Sequence, residues 1–182
     1  MAVRKILLFS QQEALLRKVS DPVHHFDRDV KRIIQDLKDT LAAHENGIGL
    51  AAPQINHHVR VILVRLGSDQ ESVDPDPPIA LINPKILEES DLQKDFDGCL
   101  SFPGLYGETV RPHILRLSAL DEDGNPIEVR FDGFDAVVVH HEIDHLEGIL
   151  FIDRIEQAED LYQIIHDENG NLVKAPINKL IS

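Results

Sequence analysis

The sequence predicts an α+β fold: short antiparallel sheets packed around one late helix that carries two histidines, with one long helix near the N-terminus. Three observations predict it. A helical apolar period runs through residues 27–46, several short aliphatic runs bounded by Pro, Ser or Gly fill the middle, and a second helical stretch covers residues 135–147. The 182 residues suffice for one domain with its own core, in which residues 155–182 read as a divergent acidic tail.

In chain order, Ile6-Leu7-Leu8-Phe9 is an apolar run too short for a signal-peptide core. Asp27 is placed to cap the first long helix. Val30, Ile33, Ile34, Leu37 and Leu41 then repeat at helical spacing, and Gly47 stops it. Residues Gly47 to Gln54 are too rich in Gly, Ala and Pro for a strand interior and too apolar for a solvent loop. Val59 to Leu66 reads as a strand buried on both faces, and Gly67 to Pro78 as a surface loop. Ile79 to Ile82, Ile86 to Glu89 and the stretch around Phe96 to Leu100 read as short strands. Ile114 to Leu120 and Ile127 to Phe131 flank a turn of Asp, Glu, Gly and Asn, which is a hairpin signature. In the late helix Asp135 is the expected N-cap, Gly148 the stop, and Val139, Ile143 and Leu146 an apolar stripe. Glu168 to Asn171 reads as a turn before a short strand at Leu172 to Ile177.

Composition narrows the function. The net charge of −14, from 32 acidic and 18 basic residues, repels phosphate backbones and anionic lipid, so direct nucleic-acid binding is not expected. No apolar run reaches the ~20 residues of a membrane span. The single cysteine, Cys99, excludes an intrachain disulfide and fits a reducing compartment, so a cytoplasmic location is expected.

The chemistry is concentrated in His141-Glu-Ile-Asp-His145. Histidines at i and i+4 on a helix share one face and can grip one metal ion, with Glu142 beside them as a general base for water. Buried histidines and a glutamate need a partner to offset desolvation, and a metal supplies one. The third ligand stays open on these residues alone. An extended motif ending in a third histidine fails, because Phe151 occupies that position. A downstream Glu156, Glu159 or Glu168 is one candidate, and Cys99, a soft thiolate donor, is another.

Three blocks then carry a resemblance. Gly47-Ile-Gly-Leu-Ala-Ala-Pro-Gln54 is similar to the G-x-G-L-A-A-x-Q loop of peptide deformylases, Asp97-Gly-Cys-Leu-Ser101 to their E-G-C-L-S strand end, and His141 to His145 to their metal helix. The likeness runs from about Leu15 to Arg154. It implies that Cys99, His141 and His145 hold the metal on a central helix, Fe(II) in the cell, with zinc, nickel or cobalt as replacements in purified protein. Glu142 would act as base and then acid, and Gln54 and the Leu100 N–H as oxyanion donors. Gly49 and Arg111 would face the peptide. Ile48, Val137 and Val138 are expected to line a methionine pocket. The implied substrate is the formyl-methionine end of nascent chains, cleaved to formate and a free amine. Asp97 replaces the family's usual Glu and His140 its usual Gln; the first is expected to alter a contact behind the ligands, the second to pair with Asp144. The tail, with five acids and two lysines, does not resemble the long basic helix by which some deformylases dock on the ribosome. Two alternatives remain: a non-catalytic metal- or peptide-binding protein of the same fold, and a metalloprotease with a Glu ligand.

Overall fold

Three α-helices and seven strands make up the computed structural model, which describes residues 2–67 and 77–177. Most of the expected loop at Gly67 to Pro78 lies outside the described residues. All seven strands, β1 (Gly49–Ala51), β2 (Val61–Val64), β3 (Ile79–Gly98), β4 (Leu105–Leu120), β5 (Pro126–Asp132), β6 (Leu161–His166) and β7 (Leu172–Pro176), belong to one antiparallel sheet. Its order is β1-β2-β3-β4-β6-β7, and β5 pairs with the second half of β4 while β6 pairs with the first. The expectation of several short sheets is therefore corrected to one branched sheet.

The three short strands expected between residues 79 and 100 are a single 20-residue strand. Register shifts between Ile82 and Lys85 and between Ile86 and Glu88 let it pass Pro84, which has no N–H to give to a ladder. Asn83 takes a positive φ of 51° there and its side-chain amide holds both the N–H and the C=O of Val23. The hairpin of β4 and β5 forms as its turn residues dictate, with Leu120 opposite Pro126.

The helices are α1 (Phe9–Leu16), α2 (Arg28–Ala42) and α3 (Gly133–Leu146). The long helix expected over residues 27–46 spans fifteen residues as α2, and the short α1, which the sequence did not signal, is the helix nearest the N-terminus. Asp27 caps α2 by accepting the N–H groups of Asp29 and Val30. Asp135, expected to cap α3, sits inside its first turn and accepts the N–H of Gly67; the helix starts two residues earlier, after Asp132. Gly148 ends α3 at φ 70°, with the Arg17 carbonyl packed where a side chain would be.

Strand β2 is buried on both faces because a helix covers each. Val61 and Leu63 pack in the cluster that contains Val30, Ile33, Ile34, Leu37 and Leu41 of α2. Ile62 and Val64 pack with Val138, Val139, Ile143 and Leu146 of α3. Each such side chain contributes roughly 1.5–3 kcal/mol on burial. Every residue of α3 from Ala136 to Leu146 is buried, which is how a helix with three consecutive valines is held despite its weak intrinsic propensity. Among the described residues no helix is long and apolar enough to cross a membrane.

Candidate active site

The polar face of α3 meets the end of β3. Cys99 follows β3 immediately, and its Sγ lies 3.3 Å from Nε2 of His145. The ligand atoms of Cys99, His141 and His145 all fall within 4.8 Å of one another, the one such donor group among the described residues. Glu156, Glu159 and Glu168 are exposed and take no part in it. His141 offers only one nitrogen, because its Nδ1 is bound to Asp97 Oδ1 at 2.6 Å. Asp97 is itself held through Oδ2 by the Thr109 hydroxyl and the Arg111 Nε, each at 2.8 Å. The shorter carboxylate thus still reaches the ligand ring, and its remaining oxygen is fully engaged behind it.

Electrostatics make the same pocket receptive to a cation. Burial penalises charge on His141, but the adjacent Asp97 carboxylate outweighs it and holds the ring's pKa well above the usual value. Burial also penalises Asp97, yet the charge and hydrogen bond of His141, with Arg111, keep its pKa well below the carboxylate range. The same carboxylate would favour the positive charge of a metal ion bonded to that ring in place of the proton. His145 is pushed the other way, by burial first and by His141 second, which favours the neutral ring that metal ligation would require. The Cys99 sulfur and two imidazole nitrogens, brought this close together, would suit a borderline divalent ion.

Glu142 is buried beside these donors, and burial raises its pKa to about 7 against the opposing charge of His141. Its Oε2 has no hydrogen-bond partner among the described residues, a costly state for a buried carboxylate unless a water or substrate meets it. Gly49 of β1 lies against it so closely that a Cβ there would be 2.8 Å from the carboxylate carbon. Gln54, in the tight turn after β1, has its amide orientation fixed. Its Oε1 accepts from the Ala51 N–H at 2.8 Å, which turns Nε2 toward Ser101 Oγ (3.1 Å) and Cys99 Sγ (3.4 Å). The N-terminal segment ties these parts together: the Leu7 N–H donates to the Gln54 carbonyl and the Phe9 N–H to the Ser101 carbonyl.

These groups open onto a cleft of about 900 Å³, where Ile48, Gly49, Gln54, Cys99, Leu100, Val137, Val138, His141 and Glu142 are all found, with His145 behind them. Arg111 is a correction. It is fully buried on the far side of α3, with its guanidinium bonded to Asp97, Thr109, Asp144 and the ring of His140, so it cannot face a peptide. His140 does point away from the donors, and its Nδ1 meets Arg111 at 2.7 Å, closer than Asp144 at 3.9 Å. Several contributors escaped the sequence reading. Phe134 lines the cleft one turn before Val137 and Val138, a helical spacing that was available as a signal. Ser101 lay within a recognised block, whereas Leu7 and Phe9 act through backbone groups that carry no residue signature.

A model of the polypeptide deformylase family matches residues 3–160. A peptide deformylase of Thermomicrobium roseum is 43% identical over 169 residues, covering 92% of this chain and 94% of its own. Peptide deformylase 1 of Bacillus subtilis is 37% identical over 157 residues, covering 86% and 92%. Among solved structures, a peptide deformylase from Thermotoga maritima aligns with a TM-score of 0.76 at 34% identity, over 86% of this chain and 100% of that one. With the family match spanning most of its length and relatives this similar over nearly all of theirs, the chain belongs to the polypeptide deformylase family.

Proposed function

We propose that this protein hydrolyses the formyl amide at the N-terminus of nascent polypeptides, converting formyl-methionine to methionine with release of formate. The observation that carries the reading is the convergence of three metal-type donors, a buried glutamate and a fixed amide donor at one end of a cleft. In this reading α3 is the central metal-binding helix, residues 1–182 act as one catalytic domain, and residues 155–182 are its divergent tail.

Cys99, His141 and His145 would hold the ion, and Fe(II) is the proposed cellular metal, with zinc, nickel or cobalt as substitutes. Bound there, a divalent ion supplies Lewis acidity that acidifies water near neutral pH and polarises the formyl carbonyl. Glu142 takes the proton from the attacking water and returns it to the departing α-amine. The Gln54 amide and the Leu100 N–H donate to the oxygen on which negative charge develops, each contributing roughly 2.7–4 kcal/mol when aligned. Gly49 presents strand backbone beside the reacting centre without covering Glu142. Ile48, Val137 and Val138, joined by Phe134, form an apolar pocket suited to the methionine side chain. We assign the enzyme to the cytoplasm, where formylated chain ends are made; among the described residues the tail is the β6–β7 hairpin.

The test is formate release from formyl-Met-Ala-Ser by protein loaded anaerobically with Fe(II), beside Glu142→Gln. Rapid release that falls at least 100-fold in the variant is expected. No release from the metal-loaded wild type would sink the proposal.

A further inference from the structure

We infer that the β6–β7 hairpin forms an outer wall of the substrate cleft, and that Ile164, with Phe96 and Tyr106, makes an apolar subsite for a side chain following the formyl-methionine. The inference rests on the deformylase reading and extends it to selectivity among nascent chains. The family match ends at residue 160 and β6 begins at Leu161, so this wall is supplied by sequence beyond the matched span. It is nonetheless part of the sheet: Leu105, Tyr106 and Gly107 of β4 pair with Gln163, Tyr162 and Leu161. The hairpin is therefore registered against the strand that directly follows the Cys99 turn.

Side chains alternate along β6, so Tyr162 and Ile164 share a face, and Ile164 lines the cleft together with Phe96 and Tyr106. Tyr106 lies opposite both Gly98 and Tyr162. The missing side chain at Gly98 lets its ring lie against β3, where a Cβ would be 3.1 Å from Cδ1. Phe96 stacks on that ring with centroids 5.6 Å apart. Phe96 and Ile164 each remain 40% exposed, so the rim holds uncovered apolar surface in continuity with the proposed catalytic centre. Cross-strand pairing puts Leu172, opposite His166, on the same face as Ile164, which prolongs the apolar track outward. Lys174, opposite Ile164, is drawn to Glu108 and over the Tyr162 ring, so it does not make the wall a site for acidic side chains. A cleft of about 900 Å³ is near the upper end for small-molecule pockets and accommodates more than one residue.

The experiment measures kcat/KM for formyl-Met-X-Ser and formyl-Met-Ser-X, with X as Phe or Ser, on the Fe(II) enzyme and on Ile164→Ser and Phe96→Ser. Wild type is expected to prefer Phe over Ser about tenfold in one of the two positions, and each variant to cut that ratio below about threefold. Both substitutions are at part-exposed positions, and the ratio corrects for any common loss of active protein. Equal rates for Phe and Ser at both positions in wild type, or an undiminished ratio in both variants, would overturn the subsite. An enzyme that releases no formate from any of the three resulting peptides (formyl-Met-Phe-Ser, formyl-Met-Ser-Phe and their shared reference formyl-Met-Ser-Ser) would instead overturn the deformylase reading, and the inference with it.

Discussion

Replacing Gly49 by alanine introduces one methyl group at the point where β1 touches the proposed general base. The backbone there is ordinary strand, so the change costs no conformational strain and acts by contact alone. The new Cβ would lie 2.8 Å from Cδ and 2.9 Å from Cγ of Glu142. Carbon atoms rest at about 3.5–4.0 Å, so the carboxylate must retreat by roughly 1 Å. It is enclosed by α3 and the sheet, and the retreat carries it off the line to the attacking water. A misplacement of that size costs about 100-fold in rate. Formate release from formyl-Met-Ala-Ser should therefore fall about 100-fold in kcat/KM, while the thermal midpoint stays within a few degrees of wild type and the metal content is unchanged. A Gly49→Ala enzyme with wild-type kcat/KM would refute the placement of Glu142 as the base against β1.

Two further outcomes follow from the charged cluster behind α3. Arg111→Met leaves the Asp97 and Asp144 carboxylates buried without their shared cation, so a loss of about 3–5 kcal/mol in urea unfolding is expected, with a midpoint lower by roughly 10 °C. A loss under about 1 kcal/mol would show that Thr109, His140 and Arg154 suffice. Asp97→Asn keeps the shape and removes the charge facing His141, so metal affinity measured by competition with a chelator should weaken about 10–100-fold. Unchanged affinity would show that the carboxylate only orients the ring.

What could be read in the sequence was what local chemistry dictates. The i, i+4 histidines, the Asp27 cap, the double-faced β2 and the β4–β5 turn each depend on neighbours in the chain, and each appears in the structure. The strand from Ile79 to Gly98 did not read as one element, because Pro84 and Ser90 look like stops until a partner strand with bulges accommodates them. Arg111 was misread for a related reason. A cation beside a reactive block suggests substrate, and only the fold reveals two buried acids, at 4% exposure each, that claim it. The part of the tail that forms β6 escaped notice because Leu161 to His166 becomes a strand through pairing with β4 and β7.

The bonds from Leu7 and Phe9 to Gln54 and Ser101 also bear on the order of assembly. Leu7 and Phe9 close contacts with segments made some fifty and ninety positions later, and the histidines arrive only with α3. A nascent chain halted before His145 would hold the amide donor and the thiol without the helix that completes them. Loops this long close slowly, and no short local nucleus contains the site. Activity should therefore emerge in a refolding experiment with the last, slowest phase of chain organisation rather than with the first appearance of helix.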